Sequence, residues 1–429
     1  MIWRVLVAAQ LAAIVVFGTI AAVKFPIFSP IDETAHFDYV RVVAEKHRPP
    51  VLGQDEMGYA PLALFKGLDP DADPPPEVGR PTGLLRHSYQ AFEPPLYYFA
   101  VAPLFAVTDD WSQRVKLVRL AGLPILLAAA FVLYLLAGRA VPRAQLPAFS
   151  LALTVLMWPG VLLRAVTVSN AGLELLMTCV FVYAAWLADE RRSERWLLLA
   201  GVALGLAALS KFTLVALAPL LLVVAVRHVL GSRGRRSLLV AGAALALPVL
   251  VISPWLVFNL VHYDALTANS LGKQLQESLI NPHHVTYTVG RFADQVPQLF
   301  EGVLPQEWAL VRGDAPLLGM GVDFVRVAIF ALPLLLIAVE PGVLRSRQAL
   351  LLAAPFALGF VMVAWVTLVE NWPIGNSRRL HAETPVLALF AAYACVRLFR
   401  FERALNVLAL LSSVVLVAVW IDLTSRFLL

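Results

Sequence analysis

Charge is scarce in this sequence. Asp, Glu, Lys and Arg together make up 15% of its 429 residues, where a soluble domain carries about a quarter. Hydrophobic residues reach 60% and mean hydropathy is +0.76. Too little polar surface remains to cover a water-soluble fold, and the soluble classes are excluded. Cysteine is almost missing: there are only Cys179 and Cys395, each inside an apolar run. Two residues so placed build neither a disulfide framework nor a thiolate metal site, and both read as buried bystanders. The sequence also lacks an inverted internal repeat of the kind many transporters show. The net charge of +5 does not indicate nucleic acid as a partner, because the arginines stand in short connections between apolar runs. They cluster at Arg139 and Arg143, at Arg191, Arg192 and Arg195, at Arg227, Arg233, Arg235 and Arg236, at Arg345 and Arg347, and at Arg397, Arg400 and Arg403. That is the positive-inside signature of cytoplasmic loops, so the basic excess reports orientation.

What is abundant is apolar sequence in runs of roughly 20 residues, the length that crosses a hydrocarbon core. The first, 5–23 after Arg4, exceeds the h-region of a cleaved signal peptide and is expected to stay as a span. Pro26 and Pro30 stop it, and 24–92 is expected as a first outer loop with interfacial helices. The apolar stretch 94–107 is short, and a crossing there would make the later arginine loops alternate wrongly. It is expected to lie in the outer interface. Spans are then expected near 117–137, 146–164, 171–188, 196–210, 212–228 and 237–258. After a second outer loop at 259–321 they continue near 323–339, 349–369, 383–399 and 404–424. The whole chain, 1–429, is expected to be one all-α polytopic membrane domain of about 11 transmembrane helices, within a range of roughly 10–13. Its polar sequence gathers on the outer face, and function is expected there.

The most informative stretch is Ser29-Pro30-Ile31-Asp32-Glu33-Thr34-Ala35-His36-Phe37-Asp38-Tyr39. Two adjacent carboxylates follow a span at the expected outer rim. Pro30 sets Asp32 near the first turn of the next helix, where amide N–H groups stabilise negative charge. His36, four residues on, shares a helix face with Asp32. Asp32 reads either as a helix cap beside a solvated Glu33 or as a reactive acid. Other charges stand at membrane depth, where they are costly and are usually functional or paired. These are Lys211 near the outer end of two spans, Arg164 and Glu174 around an outer turn, and Arg378, Arg379 and His381 before another span. Each also reads as a snorkelling or salt-bridged side chain. Cations level with an acidic pair would suit a substrate carrying a phosphate near the membrane surface.

Taken in order, several segments resemble motifs of the GT-C superfamily. These are polytopic glycosyltransferases that use polyprenyl-phosphate sugars, among them protein O-mannosyltransferases and lipid A aminoarabinose transferases. Pro30-Ile31-Asp32-Glu33-Thr34-Ala35-His36-Phe37 resembles the Asp-Glu motif of the first outer loop, and Phe92-Glu93-Pro94-Pro95-Leu96-Tyr97-Tyr98 the Pro-Pro-Leu-Tyr-Tyr helix start. Leu206–Thr213 resembles a lysine-containing break, and Pro254-Trp255-Leu256-Val257-Phe258-Asn259 the end of a span before the second outer loop. Arg378-Arg379-Leu380-His381-Ala382-Glu383-Thr384-Pro385 resembles, more loosely, an Arg-Tyr…Pro segment near the C-terminal spans. Two departures stand out. Glu93 occupies a position where aminoarabinose-type relatives carry a phosphate-holding lysine, and Gly172 replaces a frequent aspartate, for which Glu174 is a candidate substitute.

The resemblance implies a GT-C-type fold and a bacterial plasma-membrane enzyme with its active site on the outer face. Such an enzyme moves a sugar from a polyprenyl-phosphate donor, with inversion, to a hydroxyl of a glycan, lipid or protein. Asp32 and Glu33 form the expected catalytic pair. The family's general-base role falls to Asp32 alone, and Glu33 is expected to orient the acceptor or the neighbouring helix. Lys211 and Arg379, with Arg378 second, are expected to hold the lipid phosphate. His36, Tyr97, Glu93 and His381 are expected to line the substrate site. The sequence requires no cofactor; a divalent metal is left open, with Asp32, His36 and the His283-His284 pair as candidate ligands. Two other readings stand beside this one. One is a catalytically inactive GT-C-like accessory subunit. The other is a transporter or flippase of lipid-linked glycans, which would gather its polar groups near the bilayer midplane.

Overall fold

A computed structural model of the chain describes residues 1–25, 32–72, 88–232, 234–267, 288–294, 316–369, 380–399 and 402–428. Their regular elements are helices throughout. In chain order these are α1 (Ile2–Lys24), α2 (Glu33–Lys46), α3 (Tyr59–Lys66), α4 (Leu96–Val101), α5 (Trp111–Leu120) and α6 (Gly122–Ala140). Next come α7 (Gln145–Leu156), α8 (Pro159–Val166), α9 (Ala171–Arg191), α10 (Glu194–Ser210), α11 (Ala218–Ser232) and α12 (Arg235–Tyr263). The last four are α13 (Pro316–Val339), α14 (Arg347–Leu368), α15 (Thr384–Phe399) and α16 (Glu402–Leu428).

Among the described residues, seven helical stretches are long and apolar enough to cross a bilayer: Ile2–Lys24, Trp111–Ala140, Ala171–Arg191, Phe212–Ser232, Arg235–Tyr263, Arg347–Leu368 and Glu402–Asp422. The chain is therefore an integral, multi-pass membrane protein. The distance from the expected count of about eleven lies in helices that are short or broken. The clearest case is 146–164, expected as one span. It is two helices, Pro142–Leu156 and Pro159–Val166, bent by 69°. Trp158 is extended (φ −58, ψ 132) because the ring of the following proline disfavours helical backbone before it, and Pro159 then starts a new helix where its missing N–H costs nothing. The 94–107 stretch is likewise too short to cross, forming α4 and a 3-10 turn at Ala102–Ala106.

The helices pack through small residues and one polar seam. Gln10 of α1 donates to Ser413 Oγ of α16 at 2.9 Å and to the Ser150 carbonyl of α7 at 3.1 Å, and accepts from Ser150 Oγ at 2.8 Å. All three side chains are fully or almost fully buried. With no water to compete, such bonds fix which helices meet. At one end of the bundle the arginine-rich connections are tied by ion pairs: Arg139 and Arg347 to Glu190, Arg227 to Asp189, Arg236 to Glu194 and Arg397 to Glu340. The opposite end carries α2, α3 and α4, together with the α8–α9 turn, the end of α10 and the start of α15. An aromatic cluster roofs it, in which Phe37, Tyr39, Tyr97, Tyr98, Phe105 and Trp111 pack together.

Candidate active site

Asp32 stands at the N-cap of α2 in left-handed backbone (φ 42, ψ 10), and its side chain does not cap the helix. Its carbonyl instead opens the helix, accepting from Ala35 and His36 N–H at 3.0 and 3.1 Å. Left-handed backbone is uncommon outside glycine, although aspartate tolerates it better than most residues. Neighbouring contacts must hold it there, and the next residue supplies them. Glu33 is 1% exposed and forms a bidentate ion pair with Arg119 of α5, Nε to Oε1 at 2.8 Å and Nη2 to Oε2 at 2.6 Å. Oε1 also accepts from the Val168 N–H at 2.8 Å, and Arg119 Nη1 donates to the Phe25 carbonyl at 2.9 Å. Both oxygens of Glu33 are thus committed to structure. Glu33 thereby ties the start of α2, directly behind Asp32, to α5 and to the turn before α9.

One turn into α2, His36 Nδ1 shares a hydrogen bond of 2.6 Å with the Tyr98 hydroxyl. Tyr39 stacks on Tyr98 with ring centroids 3.6 Å apart and donates to the Glu93 carbonyl at 3.2 Å. Burial pushes both phenols up from their usual range, with Tyr263 and Glu93 adding to the effect at Tyr39, and Glu93 and the other tyrosines at Tyr98. Both therefore act as neutral hydroxyls. Tyr97 is buried edge-on against Tyr98.

Lys211 sits where α10 breaks, extended at φ −152 and ψ 118. Its ammonium donates to Glu93 Oε1 at 2.7 Å. Asn170 donates to Glu93 Oε2 at 3.3 Å and to the Ser210 carbonyl at 2.9 Å, satisfying an acceptor that the end of α10 leaves open. The acid at the expected lysine position is therefore paired with the lysine of the break. The Lys211 side chain keeps 27% exposure while Glu93 keeps 9%. His381 Nε2 lies 3.5 Å from Glu174 Oε2 and 3.3 Å from the Ala171 carbonyl. His36, Glu93 and His381 are all buried. Arg378 and Arg379, the other expected phosphate ligands, lie outside the described residues, as do His283 and His284. Among the described residues, no group of three or more His, Cys, Asp and Glu is placed to hold a metal ion.

The structure thus gathers Glu33, His36, Tyr97, Glu93, Lys211 and His381 at one end of the bundle, with Asp32 leading α2 into it. Sequence reasoning missed Arg119 and Asn170. Arg119 had one available signal, an arginine just inside the start of the expected 117–137 span.

The model of the dolichyl-phosphate-mannose-protein mannosyltransferase family matches residues 93–258. Among solved structures the chain is similar to ArnT from Cupriavidus metallidurans bound to undecaprenyl phosphate. Identity is 15% and the TM-score is 0.50, over 91% of this chain and 60% of that one. The apo state of the same protein gives 15% identity and a TM-score of 0.51, over 91% and 59%. The chain thus spans about three fifths of the length of the structures it matches. No curated protein matches it by sequence. The chain thus shares the fold of these structures, and its residues 93–258 carry the match to the mannosyltransferase family.

Proposed function

We propose that the chain is an inverting membrane glycosyltransferase that takes a sugar from a polyprenyl-phosphate donor and gives it to an acceptor hydroxyl on a glycan, lipid or protein. It works at the outer face of a bacterial plasma membrane. The observation that carries this reading is the placement of Asp32. A strained acid at a helix start is held by a buried ion pair behind it, beside a polar cluster that ends in Lys211. Strain of this kind concentrates at functional sites. Asp32 takes the proton of the acceptor hydroxyl, the freed oxygen attacks the anomeric carbon, and the bond to the phosphate oxygen breaks on the opposite face. The polyprenyl phosphate leaves with the electron pair, and the configuration inverts. General-base assistance is worth roughly 10²–10⁴-fold. Charge accumulating on the leaving phosphate needs cations, a role assigned to Lys211 and Arg379, with Arg378 second. One of the similar ArnT structures is bound to undecaprenyl phosphate, which supports the donor class.

Glu93 favours a second reading, an inactive accessory subunit, because its carboxylate offsets the charge of Lys211. One variant separates the two. Asp32→Asn should abolish sugar transfer in purified protein while binding of undecaprenyl phosphate stays at the wild-type level. Full turnover by the variant removes Asp32 from the mechanism, and wild-type protein that binds the lipid without transferring favours the accessory reading.

A further inference from the structure

Beside the Lys211 break lies a narrow notch between the 3-10 turn Phe212–Leu217 and α14. It is lined by Thr213, Gly359, Met362, Val363, Val366 and Glu383 and measures about 240 Å³ including its open mouth. Its enclosed part is the size of about one water molecule. Glu383 is 2% exposed, and its Oε2 has no hydrogen-bond partner among the described residues. A buried carboxyl oxygen without a partner is costly, and native structures almost always satisfy such atoms. The backbone makes room for this one deliberately. A Cβ at Gly359 would stand 2.9 Å from Glu383 Oε1, so the glycine leaves the carboxyl room to seat against α14.

We propose that Glu383, with the Thr213 hydroxyl across the notch, receives a single neutral hydroxyl group of a membrane-borne substrate. The inference rests on the glycosyltransferase reading and deepens it. The size of the space admits one hydroxyl or hydroxymethyl and not a sugar ring. Its polar lining, Glu383 and Thr213, offers no cation to an anionic group. Three apolar side chains from α14 complete it, on a helix whose Val361 and Trp365 are 62% and 56% exposed and face lipid. The occupant therefore arrives from the bilayer. The hydroxyl donates to Glu383 and accepts from Thr213. A site built this way discriminates sharply against an analogue that lacks the hydroxyl, because the buried polar groups are then left unpaired. Two sources carry this chemistry, the sugar of the lipid-linked donor and the acceptor, and the experiment tells them apart.

Full-length protein in lipid nanodiscs is assayed with an undecaprenyl-phosphate-linked hexose and its mono-deoxy analogues, and separately with an alkyl glycoside acceptor and its mono-deoxy analogues. In wild type, one mono-deoxy compound should lose about tenfold in kcat/KM. In Glu383→Ala that same deletion should cost nothing further. Glu383→Gln, which keeps shape and hydrogen-bonding reach, should preserve most of the discrimination and guards against a folding artefact. Coupling on the donor series assigns the notch to the sugar, and coupling on the acceptor series assigns it to the acceptor. If Glu383→Ala discriminates among all analogues as wild type does, the notch holds ordered water only and the inference is wrong. Wild type that fails to bind undecaprenyl phosphate overturns the parent reading as well, an outcome distinct from lost coupling.

Discussion

Arg119 donates to both oxygens of Glu33 and to the carbonyl of Phe25, so one guanidinium ties the end of α1 to the start of α2 and presents Asp32 between them. Removing one partner strands the other as a buried, unpaired charge, which costs about 3–5 kcal/mol. Arg119→Met should therefore lower the thermal midpoint in nanodiscs sharply. The double variant Arg119→Met with Glu33→Met should recover much of the loss, because apolar replacements of similar volume remove the desolvation cost as well. A double variant no more stable than Arg119→Met alone would show that the pair is not the clamp. A second acid offers a test by pH. Burial alone would raise the Asp55 carboxyl, but hydrogen bonds from Arg48, Lys46 and the Val51 N–H outweigh it and hold it well below the usual carboxylate range. A folded-state pKa that is depressed gives stability present above the unfolded value of about 4 and lost as pH falls below it. Hydrogen exchange in the α2–α3 segment should accelerate on acidification below that pH, and Asp55→Asn should flatten the response while weakening the segment at neutral pH. At this scale the sequence marks costly charges and hides their partners. Lys211 stands out in an apolar run, but nothing local says that Glu93, so far away in the chain, will meet it.

Close helix approach is an element-scale property, and it is carried by glycines that composition does not single out. Gly201 and Gly205 stand one turn apart on α10, a G-x-x-x-G spacing that lets backbones touch in lipid. A Cβ at Gly201 would collide with the Ala244 carbonyl of α12, and one at Gly205 would come within 2.6 Å of Val251 Cβ. Since Lys211 directly follows α10, this packing also sets the depth of the Glu93–Lys211 pair. Gly201→Leu should destabilise by about 1–3 kcal/mol through overpacking and weaken undecaprenyl-phosphate binding with it. Gly242→Leu, at a position where a Cβ meets nothing within 4 Å, should do neither; an equal loss in both variants would rule out the α10–α12 contact as the cause. Breaks within helices were partly legible. Pro26 and Pro30 mark the end of α1, and the lysine-containing break at Ser210–Phe212 is visible as a polar interruption. The 69° bend at Trp158-Pro159 was not legible, because a proline inside an apolar run is compatible with a kinked but continuous membrane helix.

Across the whole molecule, what the sequence specifies best is which connections share an end of the bundle. Apolar runs and arginine-rich connections are long-range statistics that survive errors in any single boundary, and the structure places every paired arginine connection at one end and the candidate site at the other. The positive-inside rule predicts the side of the membrane that each end faces, and that side decides whether Asp32 can meet a donor and an acceptor at the outer surface. The chain is well suited to the measurement. Cys179 and Cys395 are 0% and 2% exposed, so an impermeant maleimide should leave intact cells expressing the wild type unlabelled. Lys66 ends α3 on the site side, exposed, and Arg236 opens α12 at the arginine-rich end with 83% side-chain exposure. Lys66→Cys should be labelled on intact cells, and Arg236→Cys only after permeabilisation. The reverse pattern would put Asp32, Glu93 and Lys211 on the cytoplasmic side and the arginine-rich end outside. A single pair of variants therefore tests the orientation on which the site's access to an outer-face acceptor depends.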